Sequence, residues 1–327
     1  MSAPLLTIEN LRIAFRSKYG TVTALRDVSF SLAKGRTLAL VGESGSGKSV
    51  CSLAVMGLLP SNGTIESGTI TYHPREGAQR ALETLDAQAF RAIRGSEISM
   101  IFQEPMSSLN PLFPIGDQIG EMLLLHTDLD HAARQRRVLD MLELVEIPAA
   151  ASRLHAYPHE LSGGMRQRVM IAMAMICSPA LLIADEPTTA LDVTIQAQIL
   201  DLMRRLQAEL GMSILFITHD MGVVAEIADD VAVMYAGAIV ERAPIRVTFA
   251  QPRHPYTQGL LRSIPQRDSK DRLIPIPGTV PALHEMPPGC AFAPRCALTD
   301  RACASPVSLE QKTAGHHVAC LKVPARV

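Results

Sequence analysis

One octapeptide constrains the fold of this chain more than any other segment. The sequence "GESGSGKS" (Gly42–Ser49) fits the pattern G-x-x-x-x-G-K-[ST] and directly follows the apolar run "TLALV". Glycines allow the backbone to curl so that successive amide N–H groups point at an anion, and the following helix adds its N-terminal dipole. A buried strand, a phosphate-binding loop and a helix in this order predict an α/β fold that binds a phosphorylated ligand.

The pattern also assigns individual side chains around the phosphate groups. Lys48 can reach the β- and γ-phosphates, and the hydroxyl of Ser49 can ligate Mg²⁺. The predicted phosphate-binding residues are Gly42, Glu43, Ser44, Gly45, Ser46, Gly47, Lys48 and Ser49. The alternative, a glycine-rich turn without function, is disfavoured because strand, loop and helix occur in the required order.

Composition and charge exclude several other classes of protein. With 327 residues, 47% of them hydrophobic, the chain can bury a large core, and its net charge of −1 gives no attraction to nucleic acid. The N-terminus lacks the basic start and apolar core of a signal peptide. The longest apolar stretch (169–184) is broken by Ser178 and Pro179 and is shorter than the ~20 residues of a membrane helix. We therefore expect a soluble, cytosolic protein whose membrane role, if any, depends on a partner.

Apolar runs that alternate with helical patterns predict a largely parallel sheet. "LLIAD" (Leu181–Asp185) and "SILFITH" (Ser213–His219) are typical of buried strands that end at a polar residue. Ahead of the phosphate loop, "LLTIENLRIAF" and "TALRDVSFSL" alternate as half-exposed antiparallel strands do. A helical pattern between about residues 105 and 156 predicts an insertion, and a rise in proline beyond residue 250 marks a C-terminal extension.

Three polar residues at strand ends complement the phosphate loop. Asp185 would hold Mg²⁺ through water, and Glu186 would polarise an attacking water. Taken alone, two adjacent acids form a plain solvated turn equally well, but the phosphate loop favours the functional interpretation. His219 could contact the γ-phosphate or keep Glu186 and the water in line, although a lone histidine at a strand end is more often structural.

A second anion-binding helix start occurs in "LSGGMRQR" (Leu161–Arg168). Ser162 can cap the helix that follows, and Gly163 and Gly164 allow the helix N-terminus to approach a phosphate closely. One nucleotide cannot easily use both helix starts of a single molecule. The physical inference is a head-to-tail dimer, in which each nucleotide lies between two chains.

These motifs, in this order, resemble those of the nucleotide-binding subunits of ABC transporters, and the resemblance covers essentially the whole chain. It implies Walker A at Gly42–Ser49, the signature at Leu161–Arg168, Walker B at Leu181–Asp185, the catalytic glutamate at Glu186, the Q-loop glutamine at Gln103, the D-loop aspartate at Asp192 and the switch histidine at His219. Gln103 is also implied to join Ser49 and Asp185 around Mg²⁺ and to assist catalysis. Tyr19 stands where these proteins stack an aromatic ring on adenine, with Phe15 as a weaker candidate.

The resemblance further implies an architecture and a mechanism. A P-loop NTPase cassette would occupy residues 1–250, with a RecA-like parallel-sheet core, an antiparallel β subdomain and a helical subdomain (about 104–164). An irregular, cysteine-containing extension would occupy residues 251–327. Two cassettes would enclose two ATP molecules with Mg²⁺, their closure would drive membrane subunits between access states, and hydrolysis at Glu186 would reset the dimer. The Q-loop and the helical insertion would contact the membrane subunits.

Longer stretches such as "YPHELSGGMRQRVMIAMA" and "QPRHPYTQGLLRSIP" resemble the dipeptide, oligopeptide and nickel importer group. Such subunits work with a paralogous ATPase, two transmembrane permease subunits and a periplasmic solute-binding protein, which implies a peripheral location on the cytoplasmic face of the inner membrane. The resemblance implies peptides of the dipeptide/oligopeptide class as cargo. Because the ATPase never touches the solute, nickel, glutathione and opines stay open as alternatives. A non-transport ABC ATPase is the remaining alternative, although the coiled-coil insertions and basic arms of that class are not visible.

Four of the six cysteines lie in the extension: Cys290, Cys296, Cys303 and Cys320. A cytosolic location argues against disulfides, and the spacings C-x₅-C, C-x₆-C and C-x₁₆-C fit zinc sites poorly. Four thiolates on an irregular loop can ligate an iron–sulfur cluster, and the importer group includes members with such a tail. We therefore predict a [4Fe–4S] cluster with a structural role, with zinc, incidental thiols or redox regulation as alternatives. Cys51 and Cys177 are expected to be small buried apolar residues.

Overall fold

The computed structural model describes residues 4–18, 20–103, 108–189, 191–264 and 275–324. The strands are β1 Pro4–Ser17, β2 Gly20–Ala33, β3 Thr37–Val41, β4 Gly63–Tyr72, β5 Arg80–Ala81, β6 Ile98–Ile101, β7 Leu181–Asp185, β8 Ser213–Thr218, β9 Asp230–Tyr235, β10 Ala238–Pro244, β11 Glu310–Thr313 and β12 His316–Val318. The α-helices are α1 Lys48–Val55, α2 Ala87–Ile93, α3 Ile115–His126, α4 His131–Leu144, α5 Ala150–Arg153, α6 Gly163–Met175, α7 Val193–Leu210, α8 Met221–Ile227, α9 Ile245–Ala250 and α10 Pro255–Arg262. None of the helices in the described ranges has the length and apolar character needed to cross a membrane.

The N-terminal strands form a four-stranded antiparallel sheet in the order β2-β1-β4-β5. Apolar residues on one face of β1 pair with apolar residues of β2, as at Ile8 with Phe30 and Leu11 with Val28. All four of these side chains are buried in a cluster that this sheet shares with the second sheet. The half-exposed antiparallel strands predicted from alternation are therefore confirmed.

The second sheet has eight strands in the order β11-β12-β10-β9-β3-β8-β7-β6. From β9 to β6 neighbouring strands are parallel, with β3 paired on both sides. Successive residues of β7 face opposite layers: Leu181 and Ile183 pack towards the antiparallel sheet, while Leu182 and Ala184 pack towards the helices. Burial on both faces explains why these strands are continuous apolar runs in the sequence.

The predicted helical insertion lies between β6 and β7 and is built by α3, α4, α5 and α6. Ile115, Ile119 and Leu123 lie on one face of α3 and are buried in the same cluster as Val138 and Leu142 of α4. The insertion also carries apolar side chains that face solvent. They are Leu112, Phe113, Leu124 and Leu125, with exposed fractions of 78, 53, 58 and 66% respectively.

The residues beyond 251 are not irregular throughout. Strands β12 and β11 extend the second sheet past β10, and α10 buries Tyr256 completely. Tyr256, Tyr235 of β9 and Phe292 form an aromatic cluster with ring centroids 4.7 to 5.4 Å apart. The extension therefore shares a hydrophobic core with the parallel sheet, at the end of β9.

Candidate nucleotide-binding site

The phosphate loop connects the carboxyl end of β3 to the first turn of α1, as predicted. Gly45 and Gly47 have φ of 78° and 102°, a left-handed conformation that favours glycine. Gly42 is required for a different reason, because a Cβ there would lie 2.1 Å from the carbonyl oxygen of Met234. The glycine pattern is thus explained by backbone geometry as well as by the need to approach an anion closely.

Lys48 lies in the loop, and its side chain is almost completely buried. Its ammonium group donates to the carbonyl oxygens of Gly42 at 2.8 Å and Glu43 at 3.1 Å. Burial lowers the pKa of this amine, and the carboxylates of Glu186 and Asp185 act in the opposite direction. Since an ammonium group has three N–H donors, the contacts with these two carbonyls leave one donor for a phosphate oxygen.

Two buried oxygen atoms beside the loop are available to bind a ligand. Within the described part of the chain, neither the Ser46 hydroxyl nor Oδ1 of Asp185 has a hydrogen-bond partner. Buried polar groups of this kind are costly unless something satisfies them. Carboxylate and hydroxyl oxygens are ligands that Mg²⁺ accepts, so Asp185 and Ser49 fit the predicted magnesium–nucleotide complex.

Glu186 follows β7 directly, and three side chains converge on its carboxylate. Oε1 lies 3.1 Å from Nδ1 of His219, while Oε2 accepts from the Thr189 hydroxyl at 3.0 Å and from Nε2 of Gln103 at 3.3 Å. Glu186 also has a φ of 49°, which is uncommon for a residue other than glycine. Strained backbone of this kind concentrates at functional sites, where surrounding contacts hold it in place.

The two adjacent acids have pKa shifts of opposite sign. Burial raises the pKa of Asp185, and the nearby hydroxyl of Ser49 only partly offsets this effect. At Glu186 burial also acts to raise the pKa, but the hydrogen bonds from His219 and Thr189 outweigh it, so the pKa is lowered. Glu186 is therefore ionised at neutral pH and can accept a proton from a bound water.

The signature motif begins α6, where the hydroxyl of Ser162 accepts from the backbone N–H of Met165 at 3.3 Å. Ser162 and Gly163 are exposed to solvent. Asp192 caps α7 in the same way, accepting from the N–H of Ile195 at 2.9 Å. Tyr19, the predicted adenine-stacking residue, lies outside the described residues, whereas Phe15 is partly buried against the antiparallel sheet.

Three residues at this site were missed by the sequence analysis. Thr189 lies in "TTALD", three residues after the glutamate, so an acceptor for its hydroxyl was within local reach. Tyr256 and Arg295 contact Glu43 of the phosphate loop across 213 and 252 residues of sequence. Nothing in the local pattern around either residue signals that contact.

The comparisons with known proteins give the family. Residues 25–189 match the model described as "ABC transporter", and residues 240–303 match "Oligopeptide/dipeptide transporter, C-terminal region". A putative peptide import ATP-binding protein of Brucella ovis is 53% identical over 322 residues, which are 96% of this chain and 95% of that protein. The chain belongs to the ATP-binding subunits of ABC transporters and is an ATPase of that family.

A second relative and a solved structure agree with this assignment. The dipeptide transport ATP-binding protein DppD of Bacillus subtilis is 53% identical over 293 residues, 89% of this chain and 86% of that protein. The ATP-binding cassette MJ0796, solved as a dimer with ADP and phosphate, matches with a TM-score of 0.64 and 25% identity. That match covers 74% of this chain and 99% of the MJ0796 chain.

The prediction of a [4Fe–4S] cluster in the extension is wrong. Cys290, Cys296, Cys303 and Cys320 line one cavity of about 10 Å³, barely enough for a single water molecule. Among the described residues, no group of three or more His, Cys, Asp or Glu side chains is arranged to hold a metal ion. The cysteines are free, and the names of the relatives indicate no iron–sulfur centre. Aromatic packing and strand pairing, rather than a metal, organise the tail.

Proposed function

We propose that this chain hydrolyses ATP to energise a peptide importer. Lys48 would bind the β- and γ-phosphates, and Ser49 and Asp185 would hold Mg²⁺, which neutralises phosphate charge when bound. The glycines of the loop would present backbone N–H groups to the same phosphates. The observation that carries this proposal is the pair of buried, unpartnered oxygens on Ser46 and Asp185 beside a nearly buried lysine.

Glu186 is the proposed general base for the attacking water. Its carboxylate is ionised and is held by His219, Thr189 and Gln103, so it is oriented before the water arrives. Gln103 therefore acts at the glutamate in this arrangement, and its predicted place on Mg²⁺ stays a proposal. His219 is 59% exposed and can follow the γ-phosphate while keeping its contact with Glu186.

The complete site requires a second cassette in the proposed mechanism. Ser162, Gly163 and Gly164 would contact the γ-phosphate bound to the partner, and Asp192 would line the interface between the cassettes. Support comes from the exposure of Ser162 and Gly163 at a helix N-terminus and from the dimeric state of the similar cassette MJ0796. The partner would be a paralogous ATPase, which makes the assembly a heterodimer.

The helical insertion is the proposed contact with the permeases. A groove of about 740 Å³ is lined in part by the apolar residues Phe113, Leu124, Val138 and Met173. This groove combines apolar side chains with charged ones such as Glu121 and Arg134. On a subunit that works beside membrane proteins, such a groove is a suitable seat for a short amphipathic helix of a permease loop. One transmembrane permease would dock at this groove and the other at the partner ATPase. The chain would then lie peripherally on the cytoplasmic face of the inner membrane.

Peptides are the proposed cargo, delivered by a solute-binding protein outside the membrane. The proposal rests on the oligopeptide/dipeptide transporter C-terminal region and on relatives named for peptide and dipeptide transport. A cassette spanning residues 1–250, with its helical part at about 104–164, and an extension from residue 251 remain the proposed domain organisation. Tyr19 remains the proposed adenine-stacking residue.

The test is reconstitution of the complex. The chain is co-expressed with the two permeases and the second ATPase, extracted from membranes and inserted into vesicles that contain ATP. The solute-binding protein and the labelled solutes are added outside the vesicles. We expect co-purification with both permeases and ATP-dependent uptake of labelled di- and oligopeptides. Uptake of nickel, glutathione or opines without peptides would contradict the proposed cargo, and association with ribosomes or DNA instead of permeases would contradict transport.

A further inference from the structure

The second residue of the phosphate loop is held by the C-terminal part of the chain. The backbone N–H of Glu43 donates to the hydroxyl of Tyr256 at 2.9 Å, and a carboxylate oxygen of Glu43 lies 2.9 Å from Nη1 of Arg295. Tyr256 is fully buried and the side chain of Arg295 is 5% exposed, whereas the side chain of Glu43 is 30% exposed, so water reaches the ion pair only from the Glu43 side. The main chain and the side chain of Glu43 are therefore both fixed from outside the loop.

Arg295 is itself held in place. Its Nε donates to the carbonyl of Pro277 at 2.8 Å, and Nη1 also reaches the hydroxyl of Tyr235 at 3.4 Å. The guanidinium lies 5.7 Å from the ring of Tyr235 and 5.9 Å from that of Phe292. A cation with this many fixed neighbours presents its charge to Glu43 in one geometry.

These contacts affect the affinity of the loop for phosphate in two ways. An unpaired carboxylate at Glu43 would repel an incoming polyphosphate, and Arg295 neutralises that charge. The loop must also adopt one curled shape to aim its N–H groups, and a loop that is competent only part of the time binds its ligand correspondingly more weakly.

We propose that Arg295 and Tyr256 are positioning residues for ATP, which act through Glu43 to keep the phosphate loop in its binding conformation. The inference rests on the proposed function, since it assumes that the loop binds ATP. It assigns the C-terminal extension a role in nucleotide affinity, in addition to its packing against the sheet. Glu43 is predicted from the sequence to bind the nucleotide. In the present proposal it instead forms the contact between the phosphate loop and the extension.

The test measures equilibrium binding of a fluorescent ATP analogue and of Mg-ATP by competition, using the full chain. We expect Arg295→Gln to raise the Kd about tenfold and Tyr256→Phe to raise it about fivefold, the ranges associated with one lost charged and one lost neutral hydrogen bond. Arg295→Lys should recover part of the loss. Arg301→Gln removes an exposed cation from the same region and should leave the Kd unchanged.

A double-mutant cycle separates positioning from stability. Glu43→Gln removes the charge that Arg295 neutralises, so the variant that combines Glu43→Gln with Arg295→Gln should bind ATP more tightly than Arg295→Gln alone. Melting curves without nucleotide confirm that binding is measured on folded protein. If Arg295→Gln does not fold, Tyr256→Phe and Glu43→Gln carry the test. A wild-type Kd in whichever of Arg295→Gln and Tyr256→Phe fold would overturn the inference, whereas a wild-type chain that binds no ATP would instead overturn the proposed function.

Discussion

Asp185 and Glu186 are adjacent in sequence, but their surroundings suit them to different work. Asp185 is 3% exposed at the end of β7, where burial raises its pKa and a magnesium ion would supply the missing positive charge. The backbone of Glu186 has a positive φ, and its carboxylate accepts hydrogen bonds that lower its pKa. One change of backbone direction thus separates the proposed metal ligand from the proposed general base.

The contacts of Glu186 predict unequal effects of its neighbours on hydrolysis. In the assembled importer, His219→Ala should lower kcat about 10- to 100-fold, because a nucleophile held out of line loses much of the advantage of positioning. Thr189→Ala should lower kcat less, since Gln103 also contacts the same carboxylate oxygen. The KM for ATP should stay within about twofold in both variants. An equal loss of kcat in the two variants would contradict the distinct role of His219.

His254 predicts a pH dependence of stability. Its pKa is lowered from 6.5 to about 4 by burial, although a backbone hydrogen bond at Ala319 acts in the opposite direction. Between pH 6.5 and about pH 4, His254 is protonated in the unfolded chain but stays neutral in the folded chain. The contribution of the neutral imidazole is therefore complete above pH 6.5, declines as the pH falls and is lost near pH 4, a change of about 3 kcal/mol.

The measurement is urea denaturation between pH 7 and pH 4.5, comparing the wild type with His254→Asn. In the wild type, the backbone N–H of Tyr256 donates to Nδ1 of His254. Asparagine is a good helix N-cap, so its side-chain oxygen can accept this hydrogen bond in place of Nδ1, and it does not titrate. We expect the variant to lose less stability than the wild type over this range. Identical pH dependence in both proteins would show that other groups, present in both, account for the effect.

Sequence reasoning succeeds at the residue scale where chemistry is local. The phosphate loop and the acids after β7 are each encoded within a few consecutive residues, so their positions could be predicted. The contact of Arg295 with Glu43 joins residues 252 apart and depends on how the tail packs. The iron–sulfur prediction failed for a related reason, since cysteine spacing gives neither the size of the cavity nor the directions of the thiols.

At the scale of secondary-structure elements, one buried acid contributes to the attachment of the C-terminal extension to the eight-stranded sheet. Glu241 of β10 is fully buried and accepts from the backbone N–H groups of Arg253 at 2.8 Å and His254 at 2.9 Å. Its Oε1 also lies 2.6 Å from Nε2 of His316 in β12. This carboxylate therefore connects the central sheet, the start of α10 and the last pair of strands.

Breaking this connection should destabilise the protein. His316→Leu leaves the buried carboxylate of Glu241 without its side-chain partner, and the loss of one partner from a buried hydrogen bond costs about 1–3 kcal/mol. Chemical denaturation should show a loss of this size. Glu310→Gln, which disrupts the pair that the exposed carboxylate of Glu310 makes with Lys312 within β11, is the matched control and should have little effect. A loss no larger than that of the control would contradict a structural role for the buried pair.

The long strands and helices could be predicted because their apolar periodicity is strong, whereas β11 and β12 could not. Their sequences, "EQKT" and "HHV", contain few residues that favour strands, and their pairing is imposed by β10 and by the buried contact with Glu241. The rise in proline beyond residue 250 correctly marked a change in composition. It did not indicate that this segment would complete a sheet.

At the scale of the molecule, the phosphate loop receives contacts from two directions. On one side lie the acids at the carboxyl ends of the parallel strands, and on the other lies the extension through Tyr256 and Arg295. The helical insertion, with its groove of mixed apolar and polar lining, is built onto the same sheet between β6 and β7. Gln103, which follows β6, touches Glu186 and so joins this edge of the sheet to the proposed catalytic carboxylate.

The most direct test of ATP hydrolysis at Glu186 compares the wild type with Glu186→Gln in the assembled importer. Phosphate release and peptide uptake are measured together with ATP binding. We predict that the variant binds ATP with wild-type affinity while hydrolysis at this subunit's site falls at least about 100-fold and uptake falls with it. Wild-type rates of phosphate release from that site in the Glu186→Gln complex would contradict the assignment of Glu186 as the general base.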